Sequence, residues 1–560
     1  MTDPSYSRRN VQHVTVADDE FQAVSEGRIR IRIGVVAFAI MIVLIVLRLA
    51  ETSIFGPKPA GSTLPQAITT TRADITDRNG EVLATTLLTY SLYAEPHIVW
   101  NVEETADALL SVLPELDRAE LVEHLGSKKN FEWIARGLTP KERQAVFALG
   151  QPGLGFRQEP KRVYPRGTLA SHIVGYADVG MVGLAGAERA FHEELSKPNA
   201  PAKALSIDMR VQYAVADSLM HGIERYSAKS AAGVVMDMKT GEIIAMASVP
   251  EFDPNAPATA STESRFNHAA MSTYELGSVF KPITMALALE TQTSTLTEKF
   301  PVQKPFKVTN KFIRDDHPSK VPLAMPEILS QSSNRGTAML ALRAGADAQK
   351  QMLRDFGLFD RVPYELYESA RPQVQNRWID LTTVTVSYGH GIAVTPLALA
   401  VASAPLMNGG LYVTPTILKR DAANPVASRR VLSDSTAKHV RDMMRYVVTD
   451  GTGRNARASG YGVMGKTGTA DKPGVGGYDD KGDIVTSFIS GFPYADPRYV
   501  VMITYDSPQT VEGDWGYRGA GWNAAKTTKD VVERIAPMLA IERLDAAMAQ
   551  KGYPAQEAYR

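Results

Sequence analysis

The run Ile33-Gly34-Val35-Val36-Ala37-Phe38-Ala39-Ile40-Met41-Ile42-Val43-Leu44-Ile45-Val46-Leu47 carries no charge. Such a segment has three possible destinations: a bilayer, a cleaved signal peptide, or a buried core helix. As a helix its 15 residues would span about 22 Å, short of a hydrocarbon core of about 30 Å. Leu49 and Ala50 lengthen it, and the Arg48 stem can carry its charge to the headgroups. A signal peptide fits poorly, because the run starts late and no Ala-x-Ala site follows. A single transmembrane helix is therefore expected over 33–50, after a tail of residues 1–32. Arg28, Arg30 and Arg32 end that tail, and positive charge beside a span marks the cytoplasmic side. The chain is then a single-pass protein of the inner (cytoplasmic) membrane, with almost everything after residue 50 outside the cytoplasm, in the periplasm.

The chain has 560 residues, too many for one core, so two or more domains are expected beyond the span. Lys plus Arg equals Asp plus Glu, 61 against 61, so charge gives no case for a nucleic-acid partner. The absence of cysteine excludes disulfides, thiol catalysis and Cys-ligated zinc. Residues 51–70, with Pro57, Pro59, Gly61 and Pro65, read as a linker. Ile75 to Leu83 reads as a hairpin turning at Asn79-Gly80, which accept positive φ. Helices are expected over Glu103 to Leu113 and Arg118 to Leu125. Nothing up to residue 205 suggests chemistry. His192-Glu193 lacks the second His of a zinc-protease motif, Ser196 standing in its place. From 206 the texture changes. A helix is expected from Met209 to Ile223, then strands over 232–238 and 242–247 joined by a tight turn at Lys239-Thr240-Gly241. Helices fill much of 325–450, with a Gly-rich connection at Tyr388-Gly389-His390-Gly391. Strands over 462–470, 486–492 and 499–505 and a helix over 524–539 close the domain at about 541. The fold class is α+β: a mainly antiparallel sheet with helices on both faces. A polar tail covers 542–560.

Chemistry concentrates at Glu275-Leu276-Gly277-Ser278-Val279-Phe280-Lys281-Pro282. Pro282 sets the start of an apolar helix, because proline is tolerated in the first turn and breaks a helix further in. Ser278 and Lys281, three apart, share a face, so the hydroxyl and the amine can meet at a helix N-terminus that favours developing negative charge. Ser435-Thr436-Ala437-Lys438 has the same spacing and is a built-in control. Two further stretches complete an ordered set: Ser332-Ser333-Asn334 and Lys466-Thr467-Gly468-Thr469. Lys239-Thr240-Gly241 repeats the last pattern but precedes every candidate nucleophile.

Ser-x-x-Lys, Ser-x-Asn and Lys-Thr-Gly in this order resemble penicillin-binding proteins and serine β-lactamases. Glu275 to Pro282 is similar to that family's nucleophile segment, with Leu276 where Pro is usual. Arg72 to Gly80 resembles the box that opens the non-catalytic module of class B penicillin-binding proteins, with Ala73 replacing a Gly. Gly183-Leu184-Ala185-Gly186-Ala187-Glu188 loosely matches a later box. Tail, anchor and length look most like the cell-division (septal) D,D-transpeptidases of FtsI type. The resemblance implies a non-catalytic pedestal (dimerisation-type) module over 71–205, elongated and of mixed α/β structure. It implies a serine β-lactamase-like transpeptidase domain over 206–541. It implies a D,D-transpeptidase that cross-links peptidoglycan stem peptides through a serine acyl-enzyme, releases terminal D-Ala, is a target of β-lactam antibiotics, and uses no cofactor or metal.

The resemblance also carries roles over. Ser278 is the nucleophile and Lys281 its base. Ser332 relays a proton. Asn334 donates to substrate while accepting from Lys281. Lys466, Thr467 and Thr469 hold the substrate carboxylate, and Gly468 lets the strand approach the substrate. The N–H groups of Ser278 and Thr469 form the oxyanion hole. Expected partners are the donor and acceptor stem peptides and, through anchor and pedestal, a polytopic glycan polymerase and other division proteins. Alternatives remain: an elongation-specific class B transpeptidase, a β-lactam-hydrolysing or β-lactam-sensing protein, or a non-enzymatic scaffold.

Overall fold

The computed structural model describes residues 35–46, 72–421, 424, 426–472 and 482–543. Residues 35–46 form a helix with every side chain exposed. No helix among the described residues is long and apolar enough to cross a membrane. The remainder of the expected 33–50 span, the tail and linker, and nearly all of 542–560 lie outside the described residues.

The body from residue 72 begins with the expected hairpin. Strand β1 (Ile75–Thr76) pairs antiparallel with β2 (Val82–Ala94), and Gly80 takes φ +89° between them. The buried Asp77 carboxylate ties this turn down, accepting from the Asn79 and Glu81 N–H groups at 2.7 and 2.9 Å. Helices α1 (Val102–Val112) and α2 (Arg118–Leu125) come next, each with a side-chain cap, Asn101 and Asp117. Strand β3 (Glu132–Leu138) and β4 (Leu154–Val163) flank β2 on its two edges, both antiparallel. Strand β5 (Lys203–Ala204) lies parallel to β1. Leu92, Leu109, Leu121 and Leu138 form the small core between sheet and helices. The two sequence boxes meet here. Arg72 and Arg162, both buried, donate to opposite oxygens of the buried Glu188 at 2.5 and 2.6 Å. His192, the false start for a zinc site, lies 3.0 Å from the Arg72 guanidinium.

The larger part is built on one fully antiparallel sheet. Helix α3 (Met209–Tyr226) leads into β6 (Ser230–Asp237) and β7 (Ile243–Val249), joined through Gly241 at φ +75°. Helices α4 (Lys281–Glu290), α5 (Met325–Ser330), α6 (Asn334–Ala344), α7 (Pro396–Ser403) and α8 (Asp434–Thr449) form the middle of the chain. Strands β8 (Met464–Asp471), β9 (Ile484–Phe492) and β10 (Tyr499–Asp506) and helix α9 (Ala524–Met538) complete it. The strand order is β8-β9-β10-β6-β7.

Successive side chains of a strand point to opposite faces. Val234 and Met236 pack into the core shared with α4 and α7, whereas Val235 packs with α3 and α9. Both faces are covered, so these strands read as continuous apolar runs rather than alternating ones, although the sheet is antiparallel. The architecture leaves β8 as a free edge beside the nucleophile segment, which fixes where a cleft can open.

Candidate active site

Gly277–Phe280 form one 3-10 turn that runs directly into α4, with Pro282 in the first turn. Ser278 therefore stands half-exposed at the helix start, while Lys281 is wholly buried. Glycines make the turn possible. Gly277 takes φ +64°, and a Cβ there would lie 2.6 Å from the Thr469 carbonyl oxygen. Its N–H donates to Gly389 O at 3.2 Å, and a Cβ on Gly389 would lie 2.2 Å from Gly277 O. The Gly-rich connection at 388–391 thus exists to let two backbones touch beneath the nucleophile.

Ser332 sits where α5 ends. Its N–H donates to Leu329 O at 3.2 Å and the next N–H, of Ser333, to Ile328 O at 2.9 Å. This is a Schellman closure, which places the residue after the cap in the left-handed region. The usual occupant is glycine; here it is Ser332, at φ +60°. In this conformation the Ser332 hydroxyl lies within hydrogen-bond range of two lysine amines. Ser333 caps α6, accepting from Gly336 N at 3.1 Å and donating to the Asp315 carboxylate at 2.9 Å.

The Ser332 hydroxyl joins the two lysines. Lys281 Nζ donates to Ser332 Oγ at 3.1 Å and to its carbonyl at 2.5 Å. Lys466 Nζ, on the edge strand β8, donates to the same Oγ at 3.0 Å and to the Thr467 carbonyl at 2.9 Å. Both amines are buried and lie within about 6 Å of each other through that one oxygen. Two ammonium charges at this range in a buried site disfavour one another. Burial pushes Lys281 down to about 7, against the pull of Asp315 and Asp316. Lys466 is driven well below the ordinary lysine range, first by burial and then by the Lys281 charge, with Asp316 opposing. Burial thus depresses Lys466 as well as the expected base.

A cleft of about 470 Å³ opens over this group, lined by Ser278, Ser332, Thr467 and Thr469 together with Asp316 and Trp522. The motif residues Ser278, Ser332, Thr467 and Thr469 thus share one cavity wall, and the lysines lie directly behind it. Two expectations need correction. The bond from Lys281 to Asn334 is not formed: the amine is occupied by Ser332, and Asn334 Nδ2 donates to Arg314 O at 3.0 Å. Gly468 does not face a substrate. A Cβ there would lie 2.3 Å from Leu276 O and 2.8 Å from Val279 Cγ1, so the glycine lets β8 press against the nucleophile segment. The controls fall elsewhere. Ser435 is exposed on α8 and Lys438 pairs with Asp442; Lys239 pairs with Asp496 beside its turn.

Sequence reasoning missed Asp315 and Asp316, which come after a short strand and carry no motif. It also missed Thr452, whose hydroxyl lies 2.9 Å from that of Thr467. Only the tertiary fold brings these to the cleft. Among the described residues no three His, Asp or Glu side chains cluster so as to hold a metal ion.

Residues 231–533 match the penicillin binding protein transpeptidase domain. The chain belongs to the penicillin-binding protein transpeptidase family. Residues 67–201 match the penicillin-binding protein dimerisation domain, the pairing found in class B penicillin-binding proteins. Among similar proteins is the "Probable peptidoglycan D,D-transpeptidase FtsI" of Caulobacter vibrioides, 38% identical over 536 residues, covering 92% of this chain and 90% of that protein. The peptidoglycan D,D-transpeptidase FtsI of Escherichia coli (strain K12) is 30% identical, covering 79% and 80%. A crystal structure of penicillin binding protein 3 from Mycobacterium tuberculosis, complexed with aztreonam, superposes with a TM-score of 0.68 at 25% identity, covering 85% of this chain and 97% of that one.

Proposed function

We propose that this penicillin-binding protein is a serine-type peptidoglycan D,D-transpeptidase of the septal cell wall. The observation that carries the reading is the Ser332 hydroxyl suspended between two buried amines at the wall of the cleft that exposes Ser278. Ser278 Oγ attacks the penultimate D-Ala carbonyl of a stem peptide, and Lys281 takes its proton. The N–H groups of Ser278 and Thr469 face the oxyanion as it forms. Collapse of the tetrahedral intermediate breaks the peptide bond and releases D-Ala, protonated through the Lys281–Ser332 pair, since a hydroxyl both donates and accepts. An amine of a second stem then attacks the acyl-enzyme, giving the cross-link and restoring Ser278.

Substrate decides which lysine is neutral. A carboxylate bound by Thr467, Thr469 and Lys466 restores the Lys466 proton, because an opposite charge favours the charged form. That charge then keeps Lys281 neutral and basic.

The anchor belongs to this reading as well. The exposed apolar helix of residues 35–46 and the three arginines before it support a single-pass protein of the inner membrane, with the catalytic domain in the periplasm. The pedestal over 71–205 and the anchor dock a polytopic glycan polymerase and other division proteins. The test is the reaction itself: purified chain with nascent peptidoglycan strands, followed by mass spectrometry of the digested product. Cross-linked stems and released D-Ala are expected from the wild type and neither from Ser278→Ala. Equal cross-linking by the two would overturn the proposal.

A further inference from the structure

A second cavity, of about 610 Å³, lies away from the catalytic cleft. Its walls are β2 and β4 of the pedestal, the loop around 176–184, and residues 254–265 of the segment that runs from β7 toward the nucleophile. Asn255 closes the seam by accepting from Tyr164 N at 2.9 Å and donating to Tyr164 O at 3.0 Å. A cavity of this size suits a small molecule, the usual range being about 300–1,000 Å³.

Its lining is part apolar and part cationic. Tyr164, Tyr176, Met181, Leu184, Pro254 and Pro257 supply the apolar part. Four cations line it: Arg136, Lys161, Arg162 and Arg265. Arg136 is neutralised by Glu159 at 2.5 Å. Arg162 shares the one Glu188 carboxylate with Arg72, so this buried group keeps a net positive charge. The Arg162 Nε and Nη1 are committed to Glu188 and Thr86, but Nη2 is buried and has no hydrogen-bond partner. Among the described residues neither Lys161 nor Arg265 makes an ion pair on the cavity wall, and the Lys161 charge also acts on Glu142 outside it. Two carboxylates stand on the wall with them: Glu159, held by Arg136 and Ser91, and Asp178, whose Oδ1 accepts from Val182 N. A buried donor without a partner and two cations without an ion pair, among apolar side chains, lack one thing: an anion with an apolar body.

We propose that this cavity is a binding site for a small organic acid, a carboxylate or phosphate carried on an apolar group. The acid lies between Lys161 and Arg265, and its body covers the Tyr164–Leu184 side. Because the two cations belong to β4 and to the 254–265 segment, one ligand bridges the pedestal and the catalytic part.

Isothermal titration of the purified whole chain tests this, with 4-phenylbutyrate and phenyl phosphate as the two acids and 4-phenylbutanol as their neutral counterpart. At least one acid is expected to bind and the alcohol to bind about tenfold more weakly or not at all; which acid binds separates carboxylate from phosphate. Arg265→Ala and Lys161→Ala, both at exposed positions, are each expected to weaken binding about tenfold or more. Acylation of Ser278 by a labelled β-lactam reports that each variant is folded. The proposal is overturned if neither acid binds at up to about 10 mM, if the alcohol binds as well as the acids, or if acylation-competent variants bind unchanged.

Discussion

Ser332 offers the sharpest separation of strain from chemistry. An L-residue in the left-handed region costs about 1–2 kcal/mol, and Ser332 has φ +60°. Alanine at this position keeps the strain and loses the hydroxyl; glycine loses both. The Lys281 bond to the Ser332 carbonyl survives either change, because it uses the backbone, and Lys466 keeps the Thr467 carbonyl. The two variants therefore share the loss of the bridging hydroxyl and differ in backbone energy alone. Glycine gives back about 0.5–1 kcal/mol through the freedom it gains when unfolded. The net expectation is that Ser332→Gly is more stable than Ser332→Ala by about 0.5–1 kcal/mol, the reverse of their order inside a helix. Denaturant unfolding measures this difference. Both variants are expected to acylate with a labelled β-lactam about 10²-fold or more slowly, as for a lost proton relay. An alanine variant as stable as the glycine variant would refute the strain argument; normal acylation in either would refute the relay.

The pH dependence is set by Lys281, pushed down to about 7. It must be neutral to take a proton, so the acylation rate is expected to climb through pH 7 and level above it, and a flat stopped-flow profile from pH 6 to 8 would count against this base. Stability has its own sign: with the folded value below the ordinary 10.5, the unfolded chain holds more protons between about 7 and 10.5, so stability rises with pH across that window. Replacing Lys281 with Met is expected to reduce that rise in denaturant titrations and to leave the part that the buried Lys466 contributes. Gly468→Ala places a Cβ 2.3 Å from Leu276 O and is expected to slow acylation while leaving the circular-dichroism spectrum unchanged. Glu188→Gln strands Arg72 and Arg162 without their counter-charge and is expected to cost about 3–5 kcal/mol, read as a lower melting temperature.

The elements that position the site could be read from residue pattern because local physics decides them. Pro282 marks the start of α4, Asn79-Gly80 marks the first turn, and the runs at 232–238 and 486–492 mark central strands, which the structure places at 230–237 and 484–492. The order of Ser278, Ser332 and Lys466 pointed to one pocket, and geometry brings them there. What could not be read was the direction a side chain takes once long-range packing intervenes. Gly468 faces inward because β8 is squeezed against residues 276–279. Asn334 turns to Arg314 O because the loop after residue 313 folds over α6. The left-handed Ser332 was invisible, since a serine does not announce a position that normally demands glycine. Asp315 and Asp316 reach the lysines through that same loop, from a stretch with no pattern of its own.

The central claim is that one alcohol, Ser278, is activated by a neutral amine in a shared cleft. The most direct measurement is intact-protein mass spectrometry after exposure to a labelled β-lactam, followed by peptide mapping. The account predicts one added adduct, on the peptide containing Ser278, absent from Ser278→Ala and formed only slowly in Lys281→Ala. An adduct that persists at full rate in Ser278→Ala, or maps to Ser435, contradicts it.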